Sequence, residues 1–288
     1  MKERYFQNNT EKDLDLIIQD RIRLNSNPVD PSTIICTGDW LEYTHFRDDE
    51  ELIDCDIDIL YEDEFIIAVS KPDYLPVTPS TRYYYNSMAI LLKEKLNSEN
   101  VSPVHRLDIE TSGVLVFGKS KSIRRKIQMM FQDHRVEKQY QAIVFNTPTV
   151  SEISGNLVLD ENSKIFTKQK LEETGQANSL TLIKRKEIWG DYTRLWIKPI
   201  TGKTNQIRAH LAAIGCPIVG DKKYYPDEAI FLDWFLHRDI NRILPTIKLQ
   251  RQALHCDYLS FLHPVSDQKI TIEDNTEKWQ QKIDQLLN

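Results

Sequence analysis

The chain has 288 residues, 40% of them apolar, and a formal charge of −6, which is enough material for one large core or two smaller ones. No apolar run approaches the roughly 18 residues that span a bilayer, and the first twenty residues are charged throughout, so a soluble, unexported, cytoplasmic protein without membrane contact is expected. Four cysteines (Cys36, Cys55, Cys216 and Cys256) lie far apart with no CxxC pair, a pattern that suits reduced packing residues rather than a disulfide framework.

The charge is unevenly spread. Residues 1–64 hold 18 of the 43 acids and 6 of the 37 bases, a net −12, leaving +6 on the other 224. The overall acidity, which argues against a nucleic-acid partner, therefore belongs to one end. The division this suggests is an acidic N-terminal extension, 1–55, followed by a main domain, 56–288.

In chain order, Ile57–Tyr61 and Phe65–Val69 read as two strands around the acidic turn Glu62-Asp63-Glu64. Three prolines between 72 and 79 forbid regular structure there. Helical spacing of apolar residues appears over Ser87–Leu96 and again over Ser122–Gln132. Further strands are predicted at Val114–Phe117, Gln139–Phe145, Ser179–Ile183 and Thr193–Ile197, where β-branched and aromatic residues concentrate. Thr204–Ile214 is a predicted helix, with Ile207, Leu211 and Ile214 on one stripe and Gly215 at the position that ends it. Trp279, Ile283 and Leu286 suggest a closing helix. Strands outnumber helices without regular alternation, which predicts an α+β fold around a mixed, largely antiparallel sheet with flanking helices.

Several motifs compete for the chemistry. Gly113 to Ser120 matches the phosphate-loop pattern GxxxxGK[ST], but its middle residues Val114-Leu115-Val116-Phe117 are those of a buried strand, not of a loop that turns its N–H groups to phosphate. A hydrolase triad from Ser112, His105 and Asp108 lacks the GxSxG elbow. His255, Cys256 and His263 have no familiar metal-ligand spacing. Asp108 stands just before the Thr111-Ser112-Gly113 turn, where a sheet edge would present it for reaction. The alternative is that it caps that turn through Thr111 or Ser112. Arg208, bordering the apolar stripe, needs a carboxylate or phosphate partner unless it is a plain surface arginine. Lys119, Lys121, Arg124, Arg125, Lys126, Arg135 and Lys138 form a basic cluster that would either track a phosphate backbone or make a solvated helix face.

Together these stretches resemble the RluA-type RNA pseudouridine synthases. The resemblance rests on His105 to Gly113, Lys138-Gln139-Tyr140, Thr201 to Leu211, Gly215 to Tyr224, Leu254-His255-Cys256 and His263-Pro264, and spans roughly residues 56–265. It implies an isomerase acting on ribosomal or transfer RNA, with Asp108, Tyr140 and Arg208 catalytic and His105, Arg106, Thr111, Lys203, Asn205 and Leu254 binding substrate. It implies no cofactor, metal or nucleotide, and a protein acting as a monomer. Arg106 would fill the gap left by a flipped uridine, and the basic helix would bind RNA backbone. The competing reading is a non-catalytic RNA-binding protein that keeps the fold. Lys203, Asn205 and Cys256 depart from the family's commoner arginine, histidine and alanine. The extension does not read as the small RNA-binding module that precedes some members.

Overall fold

The computed structural model describes residues 21–43, 50, 53, 55–80, 83–172, 174–275, 279 and 281. The chain divides into two compact units, residues 1–51 and 52–288. In the first, β1 (Ile22–Leu24), β2 (Asn27–Pro28) and β3 (Leu41–Tyr43) pair antiparallel in the order β2-β1-β3. Asn25 and Ser26, both at positive φ, make the two-residue turn between β1 and β2, the geometry that matches the twist of paired strands.

The second unit contains an eleven-stranded sheet. Its strands are β4 (Ile59–Glu62), β5 (Ile66–Lys71), β6 (Ser102–Pro103), β7 (Ser112–Gly118), β8 (Glu137–Phe145), β9 (Glu152–Leu159), β10 (Gln169–Glu172), β11 (Ser179–Trp189), β12 (Tyr192–Pro199), β13 (Leu254–Leu262) and β14 (Lys269–Glu273). The order runs β10-β9-β11-β12-β8-β13-β7-β5-β4, with β14 beside β13 and β6 beside β7. Among these strands the β13–β7 pairing is parallel and the others antiparallel. The helices are α1 (Met88–Leu96), α2 (Lys121–Gln132), α3 (Gln206–Ala213), α4 (Glu228–His237) and the short α5 (Leu244–Ile247). This is the expected α+β architecture.

Two apolar clusters flank the middle of the sheet. One gathers Ile66 to Val69, Val114 to Phe117, Met88, Leu92 and Ile127; the other gathers Ala142 to Val144, Leu195, Ile197, Ile207 and Leu211. Val114 to Phe117 have no exposed surface, and each such side chain gains about 2 kcal/mol from burial, which makes this segment a core strand and not a phosphate loop. Tyr140 packs against both clusters and so stands at the seam between them. The predicted closing helix lies outside the described residues except at Trp279 and Gln281, which are helical, with Trp279 stacked on His255 at 5.4 Å.

One expectation needs correction. Cys216 and Cys256 are buried, but Cys36 is exposed and Cys55 only partly covered, so the first of these does not serve packing; its neighbours Thr37-Gly38-Asp39 belong to a surface turn. In the basic cluster, Lys119 donates to Glu62 and to the Asp63 carbonyl, both at 2.6 Å, and Lys126 donates to the Pro264 carbonyl at 2.9 Å, while Lys121, Arg125 and Lys126 are exposed on α2.

The parallel junction depends on a glycine. Gly113 has φ +113°, and a Cβ there would lie 2.1 Å from the Cys256 carbonyl oxygen. Gly113→Ala therefore has to part β7 from β13 as well as strain the backbone, and should cost at least about 3 kcal/mol. Urea denaturation checks this; an unchanged midpoint would mean that the two strands separate freely.

Candidate functional site

Residues 104–111 connect β6 to β7, and almost every one is tied down. The Val104 N–H donates to the Val116 carbonyl at 3.0 Å, and His105 Nε2 accepts from the Val116 N–H at 3.2 Å. The His105 ring stacks on Phe131 at 4.8 Å. Burial, followed by the Lys138 charge, pushes His105 down to about 3, so the ring is neutral at pH 7 and can act as that acceptor. At the turn itself, the Thr111 N–H donates to the Asp108 carbonyl at 3.0 Å. Lys71, fully buried at the end of β5, donates to the Ile109 carbonyl at 3.0 Å, and burial lowers its ammonium to about 7. Arg251 donates to the Glu110 carbonyl at 3.0 Å, and Lys222 to the Glu110 carboxylate at 2.7 Å. Gln252 donates to the Thr111 hydroxyl at 2.6 Å.

With its backbone committed to the turn, Asp108 turns its carboxylate away from it. Oδ2 accepts from Arg208 Nη1 at 2.6 Å, so the side chain is not a cap on Thr111 or Ser112. Arg208 is not a surface arginine, because only 13% of its side chain is exposed. It lies on the first turn of α3 and is held by Asp221 through a bidentate pair, Nε to Oδ2 at 2.7 Å and Nη2 to Oδ1 at 2.9 Å. The Asp221 side chain is fully buried, and its Oδ1 also accepts from the Lys223 and Tyr224 N–H groups at 3.1 Å. Asn205, at φ +56°, completes the clamp by accepting from Arg208 Nη1 at 3.1 Å. Asparagine tolerates this left-handed backbone better than most residues, which fits its presence there.

Burial alone would raise the Asp108 carboxyl, but the Arg208 charge and hydrogen bond, with help from Gln252, outweigh it and hold the group below its ordinary value. The Tyr140 phenol is pushed well up, first by burial and then by Cys256 and Asp108. Burial pushes the Cys256 thiol up to about 12. At neutral pH the site thus contains an ionised aspartate beside a protonated phenol and a protonated thiol.

Asp108 and Tyr140 face a cavity of about 800 Å³. Every site residue expected from the sequence lines it: Asp108, Tyr140, Arg208, His105, Arg106, Thr111, Lys203, Asn205 and Leu254. Arg106 and Lys203 are exposed at its edge, whereas Thr111 and Leu254 are buried in its wall. Sequence reasoning missed Gln206, Lys222, Lys223, Phe231, Trp234 and Gln252, all of which line the same space. Gln206 fastens the 201–205 loop by accepting from the Thr201 hydroxyl at 2.7 Å and the Lys203 N–H at 3.0 Å. Asp221 and Lys222 stood inside a recognised motif, which was a usable signal; Gln252 and α4 offered none. Among the described residues no group of three or more His, Cys, Asp or Glu is arranged to hold a metal ion.

A family model described as RNA pseudouridylate synthase matches residues 65–213. The dual-specificity RNA pseudouridine synthase RluA of Pasteurella multocida is 31% identical over 217 residues, 74% of this chain and 90% of that protein. The protein of the same description from Vibrio cholerae is 35% identical over 73% of this chain and 79% of its own. In architecture the chain is similar to human RNA pseudouridylate synthase domain containing 1, with a TM-score of 0.59 at 22% identity, covering 77% of this chain and 84% of the other.

Removing the Arg208 cation leaves burial to act alone on Asp108, so the carboxyl must take up its proton at higher pH. In Arg208→Gln the acid titration midpoint of Asp108, followed by the chemical shift of its side-chain carbon, should lie above that of the unaltered protein. Equal midpoints would mean that Arg208 does not hold the charge.

Proposed function

Since the chain belongs to the RNA pseudouridylate synthase family, of the RluA type, we propose that Asp108 is its catalytic aspartate and that Tyr140 and Arg208 act beside it. The protein is an isomerase that converts uridine in RNA to pseudouridine. What supports the assignment is one observation: the guanidinium anchored on Asp221 presents its Nη1 group to Asp108 inside the cavity.

The reaction breaks the N1–C1′ bond, turns the uracil and joins C5 to C1′. N1 gains a proton and C5 loses one, so composition and redox state are unchanged. The residues proposed for it match those needs. A carboxylate acting as nucleophile or base toward the nucleoside has to be ionised in a partly desolvated site, which the Arg208 pair secures. The Tyr140 phenol keeps its proton and offers a flat face to the uracil and a hydroxyl near C5. The Arg208 charge is already committed to two carboxylates, so its part is to hold and orient Asp108. A uridine in a helix reaches such a cavity only after flipping out, at a cost of a few kcal/mol. Arg106, exposed two residues before Asp108, is placed to fill the gap, and Lys203 and Lys223 supply cations for the phosphates on either side.

Relatives are described as dual-specificity RNA pseudouridine synthases and as a ribosomal large subunit pseudouridine synthase. We assign this protein, accordingly, a ribosomal or transfer RNA substrate and a monomeric, cytoplasmic existence. No described helix is long and apolar enough to cross a membrane. Residues 56–288 form the catalytic domain in this reading, and the acidic extension 1–55 governs which RNA approaches, since its charge repels phosphate.

Asp108→Asn should lower turnover by at least about a thousandfold while folding and RNA affinity persist. Adduct mapping of pseudouridines in total RNA, with and without the substitution, checks this; retained sites in the mutant would end the assignment. Removing residues 1–50 should change which uridines are modified more than the rate at a good site. An unchanged modification map would refute that role for the extension.

A further inference from the structure

The sequence of α4, EAIFLDWFLH, is that of a core helix, yet none of its residues is buried. Helices this apolar normally have an apolar face covered. Here Phe231 and Trp234 line the cavity that holds Asp108, while Phe235 and Leu236 are 51% and 75% exposed. The Phe231 ring lies 5.7 Å from that of Trp234 and 6.0 Å from that of Phe235, so aromatic surface runs without a break from the cavity outward. Cations accompany it. The Lys222 ammonium is 5.4 Å from the Trp234 ring, and the exposed Arg238 guanidinium is 5.0 Å from Trp234 and 4.4 Å from Phe235. The helix's Asp233 is neutralised by Arg242 at 2.8 and 2.9 Å.

A second piece of the same rim is the loop between β9 and β10. Its Phe166 is 86% exposed. The loop is fastened to the first turn of α4, because Glu228 accepts from the Ser163 hydroxyl at 2.7 Å, the Lys164 N–H at 3.1 Å and Lys168 Nζ at 2.9 Å. Lys223, from the cavity wall, donates to the Thr167 carbonyl at 2.6 Å. The loop that carries Phe166 is thus fastened to both α4 and the cavity-lining Lys223.

We infer that Phe231, Trp234, Phe235 and Phe166 form a stacking subsite for the unpaired nucleobases next to the target uridine. This rests on the proposed function. An RNA strand whose uridine sits at Asp108 must carry its neighbouring nucleotides across the mouth of the cavity, and on the α4 side it meets these rings. Stacking on aromatic rings tolerates any base, and adjacent cations serve the phosphates. The planar Arg238 group already occupies the kind of position a base would take; once displaced it is free to pair with that nucleotide's phosphate. The subsite therefore selects looped or single-stranded RNA over a continuous duplex.

The test compares a fluorescein-labelled oligouridine with an abasic ribose-phosphate chain of equal length and charge, by anisotropy. Wild-type protein should bind the oligouridine at least about tenfold more tightly. Phe235→Ser and Phe166→Ser should each weaken it by about tenfold and leave the abasic chain unaffected. Both rings are exposed, so neither change removes core packing. Equal weakening of the two ligands, or none, overturns the subsite. So does a wild-type dimer in sedimentation that Phe235→Ser dissociates, because the rings would then face a second copy. Pseudouridine formation on total RNA, measured in parallel with wild-type protein, reads the catalytic assignment separately: its absence with base-dependent binding intact faults that assignment alone.

Discussion

The site depends on a single guanidinium serving two carboxylates. Arg208 spends its Nε and Nη2 edge on Asp221 and its Nη1 group on Asp108 and Asn205. Removing a carboxylate from water costs several kcal/mol unless a cation meets it with good geometry, so each of these groups is tolerable only where the others stand. That condition reaches far into the fold. Arg208 comes from α3, which packs Ile207 and Leu211 on the β8–β12 side of the sheet; Asp108 comes from the loop entering β7 on the other side. The β13 strand joins the two halves, parallel to β7 and antiparallel to β8.

The loop bearing Asp108 is rigid for a related reason. Polar groups reach its backbone in addition to the apolar contacts of Val104 and Leu107: Lys71 and Arg251 each take a carbonyl from it, and Lys222 takes the Glu110 side chain. Rearranging the loop would strand the Arg251 charge in the interior, which costs more than losing a neutral hydrogen bond. The aspartate is consequently placed before any ligand arrives, and binding energy need not be spent on ordering it.

Much of this was legible in the residues, and the limits have physical causes. Strands β5, β7, β8 and β12 and helices α1, α2 and α3 carry apolar residues at regular spacing, and each was found within a few residues of its bounds. The cavity-lining set was found through motif order, not local chemistry, which could not separate a reactive Asp108 from a turn cap. What escaped were elements whose stability comes from distant partners. Strand β13 reads LHCDYLSFL, with His255 and Asp257 buried on it; only the bonds from Gln139 and Gln141 to Asp257, and from His255 to Ser112 and Asp274, make them tolerable. Helix α4 has no buried face, so its spacing pointed nowhere. Lys71 read as the start of a proline loop, and nothing local announced that its ammonium would reach under the Asp108 turn.

The separation of these partners along the chain has a temporal consequence. Arg208 follows Asp108 by 100 residues, and Gln252 and its neighbour Arg251 come later still. At roughly 5–20 residues per second on a ribosome, the aspartate leaves the exit tunnel several seconds or more before its counter-ion exists, and longer before the strand that locks β7 in place. Until then Asp108 is an ordinary solvated carboxylate with no counter-ion from α3. The ion pair that holds Asp108 therefore cannot form until Arg208 has been made and α3 has folded onto the sheet.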